Sequence, residues 1–330
     1  MYLPTLESKV NSANNVRRFR RRLLAWYDQN KRDLPWRKDR DPYRVWLSEI
    51  MLQQTRVAAV IEHYQRFLRK FPSVEKLAAA REASVLAAWS GLGYYRRARM
   101  LHATAKQIEQ EHDGQFPSTA EGLRALPGIG RYTAAAIASI AFGQAVAVVD
   151  GNVERVVQRL RGKKLAGESL WQEAENLLSP KRPGDFNQAL MELGATVCLP
   201  RQPQCVVCPV GEFCIARGEL KSAAKKPAQK KRAVSYALDS RDGRVFMVQR
   251  PLDAPLMAGM WELPEITHPN GTQPLRTLRH SITVTNYTVH VIKSPAPKDH
   301  PGKWISTSKL KQIPVTGLTR KILKAEGLML

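Results

Sequence analysis

The sequence predicts a mainly α-helical domain followed by a smaller α+β domain. Apolar residues recur at helical spacing from residue 16 to about 216, whereas β-branched and aromatic segments separated by turn residues follow from Val234. Between them lies a basic stretch rich in Lys and Ala, which is typical of a linker. We therefore divide the chain into an N-terminal extension (1–15), a helical domain (16–197), a cysteine loop (198–216), a linker (217–233) and the α+β domain (234–330).

Local patterns predict individual elements. Asp41-Pro42 predicts the cap and first turn of a helix that carries residues 46–52. In the α+β domain, strands are predicted at residues 245–248, 281–284 and 287–292, which are β-branched and aromatic.

The chain is strongly basic. Its 330 residues include 52 Lys and Arg against 29 Asp and Glu, a formal net charge of +23. This excess favours a polyanionic partner, while a basic protein without special affinity is the alternative. The N-terminus lacks an apolar signal core, and no apolar run reaches the length of a membrane span. We expect a protein that is not secreted and has no membrane partner, located in the cytoplasm or nucleoid of a bacterium, or in the nucleus or mitochondrion of a eukaryote.

All cysteines of the chain lie in one short segment. Cys198, Cys205, Cys208 and Cys214 have the spacing C-x6-C-x2-C-x5-C, which is typical of ligands for zinc or an iron–sulfur cluster. A zinc ribbon usually has two C-x2-C pairs separated by a long loop, and this compact segment has one, so the spacing favours a four-iron cluster. Two disulfides are the alternative, but a chain of this size that is not secreted does not need them.

Residues 126–133, Leu-Pro-Gly-Ile-Gly-Arg-Tyr-Thr, predict two helices joined by a glycine turn. Gly128 and Gly130 allow close approach of the backbone, and free N–H groups where the second helix begins, near Arg131, can hold a phosphate. The pattern is that of a helix–hairpin–helix, which grips the DNA backbone independently of sequence. A Pro-Gly turn that merely joins two core helices would give the same sequence pattern. The positive charge of the chain and the cysteine loop favour the DNA-binding interpretation.

Two carboxylates are candidates for catalysis. Glu49 interrupts an apolar helix, where desolvation favours the protonated form and suits a general acid; an exposed or ion-paired Glu is the alternative. Asp150 follows the apolar residues 146–149 at a turn into a helix, whose N–H groups favour the ionised form; a plain N-cap is the alternative. A neutral Glu and an anionic Asp together are the pair that cleaves glycosidic bonds.

Planar side chains near turns would suit the extrusion and stacking of a nucleobase, although each is individually more often core or surface. They are Trp36, Arg37, Gln53, Gln54, Tyr94 and Tyr95.

Residues 16–216 resemble the helix–hairpin–helix, iron–sulfur DNA glycosylases, and in particular the MutY-type adenine DNA glycosylases. The matching segments are Leu34-Pro-Trp-Arg37, residues 47–55, Gly91-Leu-Gly-Tyr-Tyr95, residues 126–133, residues 149–153, Phe186-Asn-Gln-Ala189 and the four cysteines. The resemblance implies base flipping in duplex DNA and hydrolytic removal of adenine mispaired with 8-oxoguanine or guanine. It also implies a 4Fe-4S cluster held by the cysteines, and we expect a monomer.

Roles for individual residues follow from the resemblance. Glu49 would protonate adenine N7, Asp150 would stabilise the sugar cation or the intermediate that follows, and Tyr132 and Asn152 would assist beside Asp150. The adenine pocket would be lined by Arg32, Leu34, Trp36, Arg37 and Gln188. Residues that would enter the base stack or contact the lesion are Gln53, Gln54, Tyr94 and Thr283.

Position 132 separates this interpretation from its closest alternative. Endonuclease III relatives carry a Lys there, whose amine forms a Schiff base with the sugar and allows strand cleavage. Tyr132 has no amine, so a monofunctional enzyme that leaves an abasic site is expected. Two other functions stay open. A glycosylase of this fold for thymine or an oxidised pyrimidine is disfavoured by the Gln-Gln-Thr and Leu-Pro-Trp-Arg segments, and a non-catalytic DNA-binding module by the presence of both Glu49 and Asp150.

The C-terminal part resembles the lesion-recognition domain of the same family, which is Nudix-like. Residues 256–264 and 279–283 carry the match, and without the glutamate cluster of Nudix hydrolases no nucleotide hydrolysis is expected. The family often has Phe-Ser-His in the loop that contacts 8-oxoguanine, where this chain has Ile282, Thr283 and Val284. Thr283 can replace the Ser hydroxyl but Val284 cannot replace the His, so weaker discrimination against guanine, or discrimination by other groups, is expected.

Overall fold

The computed structural model describes residues 12–218, 220, 229–267, 272–282, 284–297 and 301–329. The chain divides into two compact units, Met1–Val57 with Thr104–Ala223, and Ala58–Ala103 with Ala224–Leu330. The domains expected from the sequence are continuous segments, whereas each of these two units combines two segments that are distant in the sequence.

The helices begin and end as follows. They are α1 (Ala13–Asn30), α2 (Pro42–Leu52), α3 (Val57–Lys70), α4 (Val74–Ala78), α5 (Glu82–Trp89), α6 (Arg96–His112), α7 (Ala120–Arg124), α8 (Arg131–Ala141), α9 (Gly151–Arg161), α10 (Gly167–Leu177), α11 (Pro183–Thr196) and α12 (Gly317–Ala325). The strands are β1 (Lys230–Leu238), β2 (Ser240–Arg241), β3 (Arg244–Gln249), β4 (Trp261–Glu262), β5 (Glu265–Ile266), β6 (Arg276–Ile282), β7 (Thr285–Lys293) and β8 (Gly302–Ser306). None of the helices described is both long and apolar enough to cross a membrane.

The first unit has a core formed by the apolar faces of α1, α9, α10 and α11. Phe19 of α1 lies edge-on to Phe186 of α11, with ring centroids 6.2 Å apart, and to Phe213 of the cysteine loop, at 5.7 Å. Gly194 of α11 faces the start of α9 so closely that a Cβ there would lie 2.6 Å from the Cβ of Asn152. This absence of a side chain brings the end of α11 against the turn that carries Asp150.

Helix α2 begins as predicted. The Asp41 side chain accepts a hydrogen bond from the Arg44 N–H at 3.1 Å, and Pro42 occupies the first helical position. Tyr43 and residues 45–51 are buried, because α2 packs against α8, whereas Arg44 is exposed. Glu49 is therefore placed inside the protein.

The second unit contains two sheets. One has the strand order β5-β1-β7-β6, and in the other β3 pairs with β2, β4 and β8. Helix α12 shares an apolar core with these strands, including Val245, Val289 and Ile322. The prediction of a mainly α-helical part followed by an α+β part with a sheet is confirmed.

Some strand predictions differ from the structure. Residues 245–248 and 287–292 lie within β3 and β7, as predicted. Of the strand predicted at residues 281–284, Ser281 and Ile282 are the end of β6, where Ile282 pairs with Thr285. Val284 lies in a turn, and residue 283 lies outside the described residues. Lys230 to Ala233, placed in the linker by their charge, are the exposed start of β1, where they pair with β7 on one side.

Candidate active site

A cavity of about 530 Å³ lies in the first unit, where α2, α8, α9 and α11 meet the segment around residues 32–37. Both candidate acids, Glu49 and Asp150, line it. Other predicted site residues in its wall are Tyr132, Asn152, Arg32, Leu34, Trp36, Arg37, Gln53, Gln54 and Gln188. The fold thus brings together in one concave site groups that are more than 100 positions apart in the sequence.

Glu49 is buried, with 6% of its surface exposed. Its Oε2 accepts a hydrogen bond from the Tyr132 hydroxyl at 2.6 Å. Burial raises the pKa of Glu49 to about 7, opposed by the Tyr132 hydrogen bond and the charge of Arg37 and assisted by the charge of Asp150. A carboxyl group with this pKa is available as a proton donor near neutral pH.

Tyr132 stands in the first turn of α8, directed at Glu49. Burial, followed by the charge of Glu49, raises the pKa of the Tyr132 phenol well above its usual value, so it stays protonated and donates. The hydroxyl also lies 3.6 Å from Met191 Sδ on α11. Tyr132 thus donates its hydrogen bond to Glu49, and the charge of Asp150 also raises the pKa of Tyr132. The role beside Asp150 that the family resemblance implies stays a prediction.

Asp150 is the N-cap of α9. Its Oδ1 accepts from the N–H groups of Asn152 at 2.9 Å and Val153 at 2.7 Å, and its Oδ2 accepts from Asn152 Nδ2 at 2.8 Å. These donors and the positive end of the helix dipole stabilise negative charge on the carboxylate. Asp150 therefore both caps α9 and lines the cavity.

Sequence reasoning missed a third carboxylate, Glu192 of α11. It is buried and accepts from Arg32 Nε at 2.6 Å, Arg32 Nη2 at 2.9 Å and Arg37 Nη2 at 2.8 Å. These two guanidinium groups outweigh the effect of burial and hold the pKa of Glu192 at about 2. Glu192 thus fixes two predicted pocket residues. It interrupts an apolar helix as Glu49 does, and that pattern was its signal in the sequence.

Arg155 of α9 was also missed. Its guanidinium donates to Asn152 Oδ1 at 2.8 Å, to the Gly194 carbonyl at 2.7 Å and to the Cys198 carbonyl at 2.8 Å. It therefore ties the Asp150 turn to the end of α11 and to the cysteine loop. An Arg on a helix face is common, so no local pattern distinguished it.

Comparisons with known proteins place the chain in a family. Residues 47–180 match the model of the HhH-GPD superfamily base excision DNA repair proteins. The adenine DNA glycosylase of Rattus norvegicus is 36% identical over 403 residues, covering 94% of this chain and 78% of the rat protein. The chain belongs to the adenine DNA glycosylases of this superfamily. The Homo sapiens adenine DNA glycosylase is 42% identical over 76% of this chain, which spans 58% of the human protein.

Solved structures agree on the fold. A thermostable thymine-DNA glycosylase is 32% identical, with a TM-score of 0.59 over 62% of this chain and 99% of its own. An endonuclease III trapped as a covalent intermediate with DNA has a TM-score of 0.55 over 62% of this chain and 97% of its own, at 22% identity. The similarity to endonuclease III shows a common fold.

The glycine turn of this adenine DNA glycosylase family member precedes α8. Gly128 has a φ of 74°, and Gly130 is the N-cap of α8. The Arg131 side chain lies over the Trp171 ring, 4.0 Å from the centroid, and forms two hydrogen bonds of 2.6 and 3.0 Å with Glu168. The guanidinium is thus engaged within the protein, while the backbone N–H of Arg131 belongs to the first turn of the helix.

The residues predicted to enter the base stack are distributed between the units. Gln53 Nε2 lies 3.4 Å from Thr133 Oγ1, and Gln54, which lines the cavity, has a φ of 54°. Tyr94 belongs to the second unit, is 50% exposed and has a φ of 48°. A left-handed backbone at a non-glycine residue costs about 1–3 kcal/mol and is frequent at functional sites. Thr283 lies outside the described residues.

The four cysteines are free thiols, so the two-disulfide alternative is not realised. Cys198 Sγ accepts from Arg159 Nη1 at 3.3 Å, and Cys214 Sγ donates to the Arg159 carbonyl at 3.3 Å. The pKa of Cys208 is raised to about 11, mainly by burial, with a smaller increase from the charges of the other three cysteines and an opposing effect of the Val210 backbone hydrogen bond. In the described part of the chain no three Cys, His, Asp or Glu side chains converge closely enough for a single metal ion. Ligands of a multi-iron cluster stand further apart, because the cluster's own atoms lie between them.

Proposed function

We propose that the protein hydrolyses the N-glycosidic bond of an adenine flipped out of duplex DNA, where the adenine is mispaired with 8-oxoguanine or guanine. The observation that carries this proposal is the cavity that holds Glu49 and Asp150 in opposite environments. One carboxyl group is buried with a pKa near 7, and the other accepts three hydrogen bonds at a helix N-terminus. This is the combination that cleavage of a glycosidic bond requires.

In the proposed mechanism, Glu49 donates its proton to N7 of the extruded adenine. The C–N bond then breaks and its electron pair leaves with the base, while positive charge develops on the sugar. Asp150 stabilises this charge as a carboxylate. Water then adds to the sugar cation and releases a proton, which restores the Glu49 carboxyl group, and an abasic site is left. Tyr132 holds the Glu49 side chain in place, and Asn152 does the same for Asp150.

The pocket for the adenine is formed by the planar and charged residues of the cavity wall. The ion pairs to Glu192 fix the guanidinium groups of Arg32 and Arg37, so these groups meet the base in a defined orientation. The remaining pocket residues are Leu34, Trp36 and Gln188.

Binding of duplex DNA is supported by the net charge of +23 and by the turn before α8. Backbone N–H groups of Gly128, Gly130 and Arg131 would contact a phosphate. Gln53, Gln54 and Tyr94 would enter the base stack around the extruded nucleotide. The absence of an amine at position 132 supports a monofunctional enzyme.

The cysteine loop would hold a 4Fe-4S cluster through Cys198, Cys205, Cys208 and Cys214. The thiols are free, and the Arg159 guanidinium donates to Cys198 Sγ, which suits a polyanionic cluster. When bound, the cluster would cross-link the loop and hold it against the core. Iron content and visible absorption of the purified protein test this assignment.

We further propose that residues 234–330 are a Nudix-like domain that recognises the base opposite the adenine. The two sheets and α12 support an α+β fold for this part, whose first strand begins at Lys230, four residues before the boundary expected from the sequence. The protein would act as a monomer in the compartment that holds the DNA, which is the cytoplasm or nucleoid of a bacterium, or the nucleus or mitochondrion of a eukaryote.

The central test compares the wild type with Glu49→Gln on a labelled duplex that carries A opposite 8-oxoguanine. The wild type should release adenine, detected as strand breakage in hot alkali. Loss of a general acid lowers the rate by roughly 100-fold or more, so Glu49→Gln should bind the duplex and release almost no adenine. Glu109→Gln, at an exposed position on α6, is the matched control. Full turnover by Glu49→Gln would refute the proposed acid.

A second candidate is a glycosylase for another base, favoured by the 32% identity to a thymine-DNA glycosylase. Duplexes with T opposite G and with an oxidised pyrimidine, assayed in parallel, separate the two candidates. Borohydride trapping is the accompanying test, because efficient covalent trapping of the wild type on DNA would indicate an amine nucleophile and contradict the monofunctional assignment.

A further inference from the structure

Within the second unit, the loop Gly91-Leu-Gly-Tyr-Tyr95 is tied to the C-terminal α+β part by buried hydrogen bonds. The hydroxyl groups of Ser90 and Tyr95 both donate to the carbonyl of Val315, at 3.0 and 3.2 Å. Arg320 Nε of α12 donates to Ser90 Oγ at 2.9 Å. A further hydrogen bond joins the same two parts, from Arg99 Nη2 to the Ala258 carbonyl at 2.6 Å. These bonds between the loop region and the C-terminal part are called the junction below.

These bonds are shielded from water. Ser90 is 1% exposed, Tyr95 5% and Val315 0%. Burial also raises the pKa of the Tyr95 phenol, which therefore remains a donor. Val315 is held in turn by a bridge to Trp261, and the next residue begins α12 as its N-cap. The junction therefore connects the loop to rigid elements.

The last residue of the loop, Tyr95, is the one bonded to Val315, and Tyr94 directly precedes it in the sequence. The Arg97 guanidinium lies over the rings of Trp89 and Tyr94, 5.4 and 5.5 Å from their centroids. It also donates to the carbonyls of Leu92 at 3.2 Å and Gly93 at 3.3 Å. Both sequence neighbours of Tyr94 are therefore held. Gly93 is bonded to the Arg97 guanidinium, and Tyr95 is bonded to Val315 of the C-terminal part.

We propose that Ser90 and Tyr95, which bond the Val315 carbonyl, and Arg320, which bonds Ser90, form a latch by which the C-terminal α+β part sets the position of Tyr94. The inference rests on the proposed function in one respect, which is that Tyr94 enters the base stack. The latch residues are positioning residues. They would link the part that recognises the opposite base to the side chain that opens the stack.

The first test needs no DNA. Tyr95→Phe removes one hydroxyl and keeps the ring, and amide hydrogen exchange of residues 91–95 should become faster than in the wild type. Tyr236→Phe removes a buried hydroxyl from β1 of the same unit and should leave exchange in the loop unchanged. Arg320→Ala removes another member of the latch and should act in the same direction. Unchanged exchange in both latch variants would overturn the proposal.

The second test is a double-mutant cycle with Tyr94→Ala, measured as Kd for a duplex with a non-hydrolysable adenosine analogue opposite 8-oxoguanine. Tyr95→Phe should weaken binding by roughly 3- to 10-fold in the wild-type background and have little effect in the Tyr94→Ala background. Equal effects in both backgrounds would mean a merely structural role for the Tyr95 hydroxyl and would contradict the latch.

The two proposals fail in different ways. If the wild type released no adenine, the proposed function would fall, while faster exchange of the loop in the latch variants would still support the positioning of Tyr94. If adenine release were normal and exchange unchanged, the latch alone would be wrong.

Discussion

At the scale of single residues, two buried glutamates show how neighbours decide protonation. Both Glu49 and Glu192 interrupt apolar helices, but the pKa of Glu49 is about 7 and that of Glu192 about 2. Glu192 receives direct hydrogen bonds from two guanidinium groups, whereas Glu49 receives one from the neutral phenol of Tyr132. Burial is common to both, so the charge on the partner makes the difference.

This difference predicts a pH profile. If Glu49 is the general acid proposed above, single-turnover adenine release by the wild type should fall as the pH rises through about 7. The Tyr132 hydrogen bond lowers the pKa of Glu49, so Tyr132→Phe should raise that pKa and move the fall in rate to higher pH. Tyr236→Phe is the matched control and should leave the profile in place. A midpoint that stays or moves to lower pH in Tyr132→Phe would contradict the role of the hydroxyl.

At the scale of elements, the site is assembled from the ends and faces of four helices. Helix α2 presents Glu49, α8 presents Tyr132 in its first turn, α9 begins at Asp150, and α11 presents Glu192. Each position has a local cause, such as a cap or a buried face. The convergence of the four has its cause in the packing of the helices, including the close approach at Gly194.

Glu192→Gln tests how α11 supports the pocket. A carboxyl whose folded-state pKa is lowered contributes stability above its unfolded pKa, and the contribution is lost as the pH falls from about 4.5 towards 2. At neutral pH the variant should therefore lose about 3 kcal/mol of unfolding free energy, since it leaves two guanidinium groups without their carboxylate. Denaturant unfolding at pH 7 and at pH 3 measures this.

The difference in stability between wild type and Glu192→Gln should be smaller at pH 3 than at pH 7. Glu168→Gln is a matched control, because its carboxylate pairs with Arg131 at an exposed site where ion pairs contribute little. Equal stability of Glu192→Gln and the wild type at pH 7 would contradict the inferred contribution.

At the scale of the whole molecule, the net charge of +23 predicts salt-dependent binding to any duplex. The logarithm of the binding constant should fall linearly with the logarithm of salt concentration, with a slope of about −0.9 for each phosphate neutralised. Arg131→Ala should leave the slope nearly unchanged, because its guanidinium is paired with Glu168 and its backbone N–H is retained. Titrations of an undamaged duplex at several salt concentrations give the slope.

A slope smaller in magnitude by about 1 in Arg131→Ala would show that the guanidinium leaves Glu168 to contact a phosphate. Arg276→Ala is the corresponding control on the sheet, where Arg276 pairs with Glu326 and should likewise leave the slope unchanged.

The sequence by itself determined the fold class, the family and half of the residues that line the cavity, because these depend on local patterns and on motifs that keep their spacing. It failed where a residue's role depends on distant partners. Glu192 is bonded to Arg32 and Arg37, which lie 160 and 155 positions away in the sequence. Arg155 is bonded to Gly194 and Cys198, which lie 39 and 43 positions away. Strand β6, with its alternately exposed polar residues at the edge of a sheet, carries too few buried side chains for a pattern to reveal it.

The tertiary structure alone decided which groups face each other. A sequence shows that Glu49 lies in an apolar helix, but its pKa depends on the hydroxyl and the charges that the fold brings to it. The sequence likewise shows Tyr95 beside Tyr94, but only the folded chain brings Val315 and Arg320 to it and to Ser90. The physical reason is that hydrogen bonds and electrostatic interactions act over a few ångströms in space, whatever the separation along the chain.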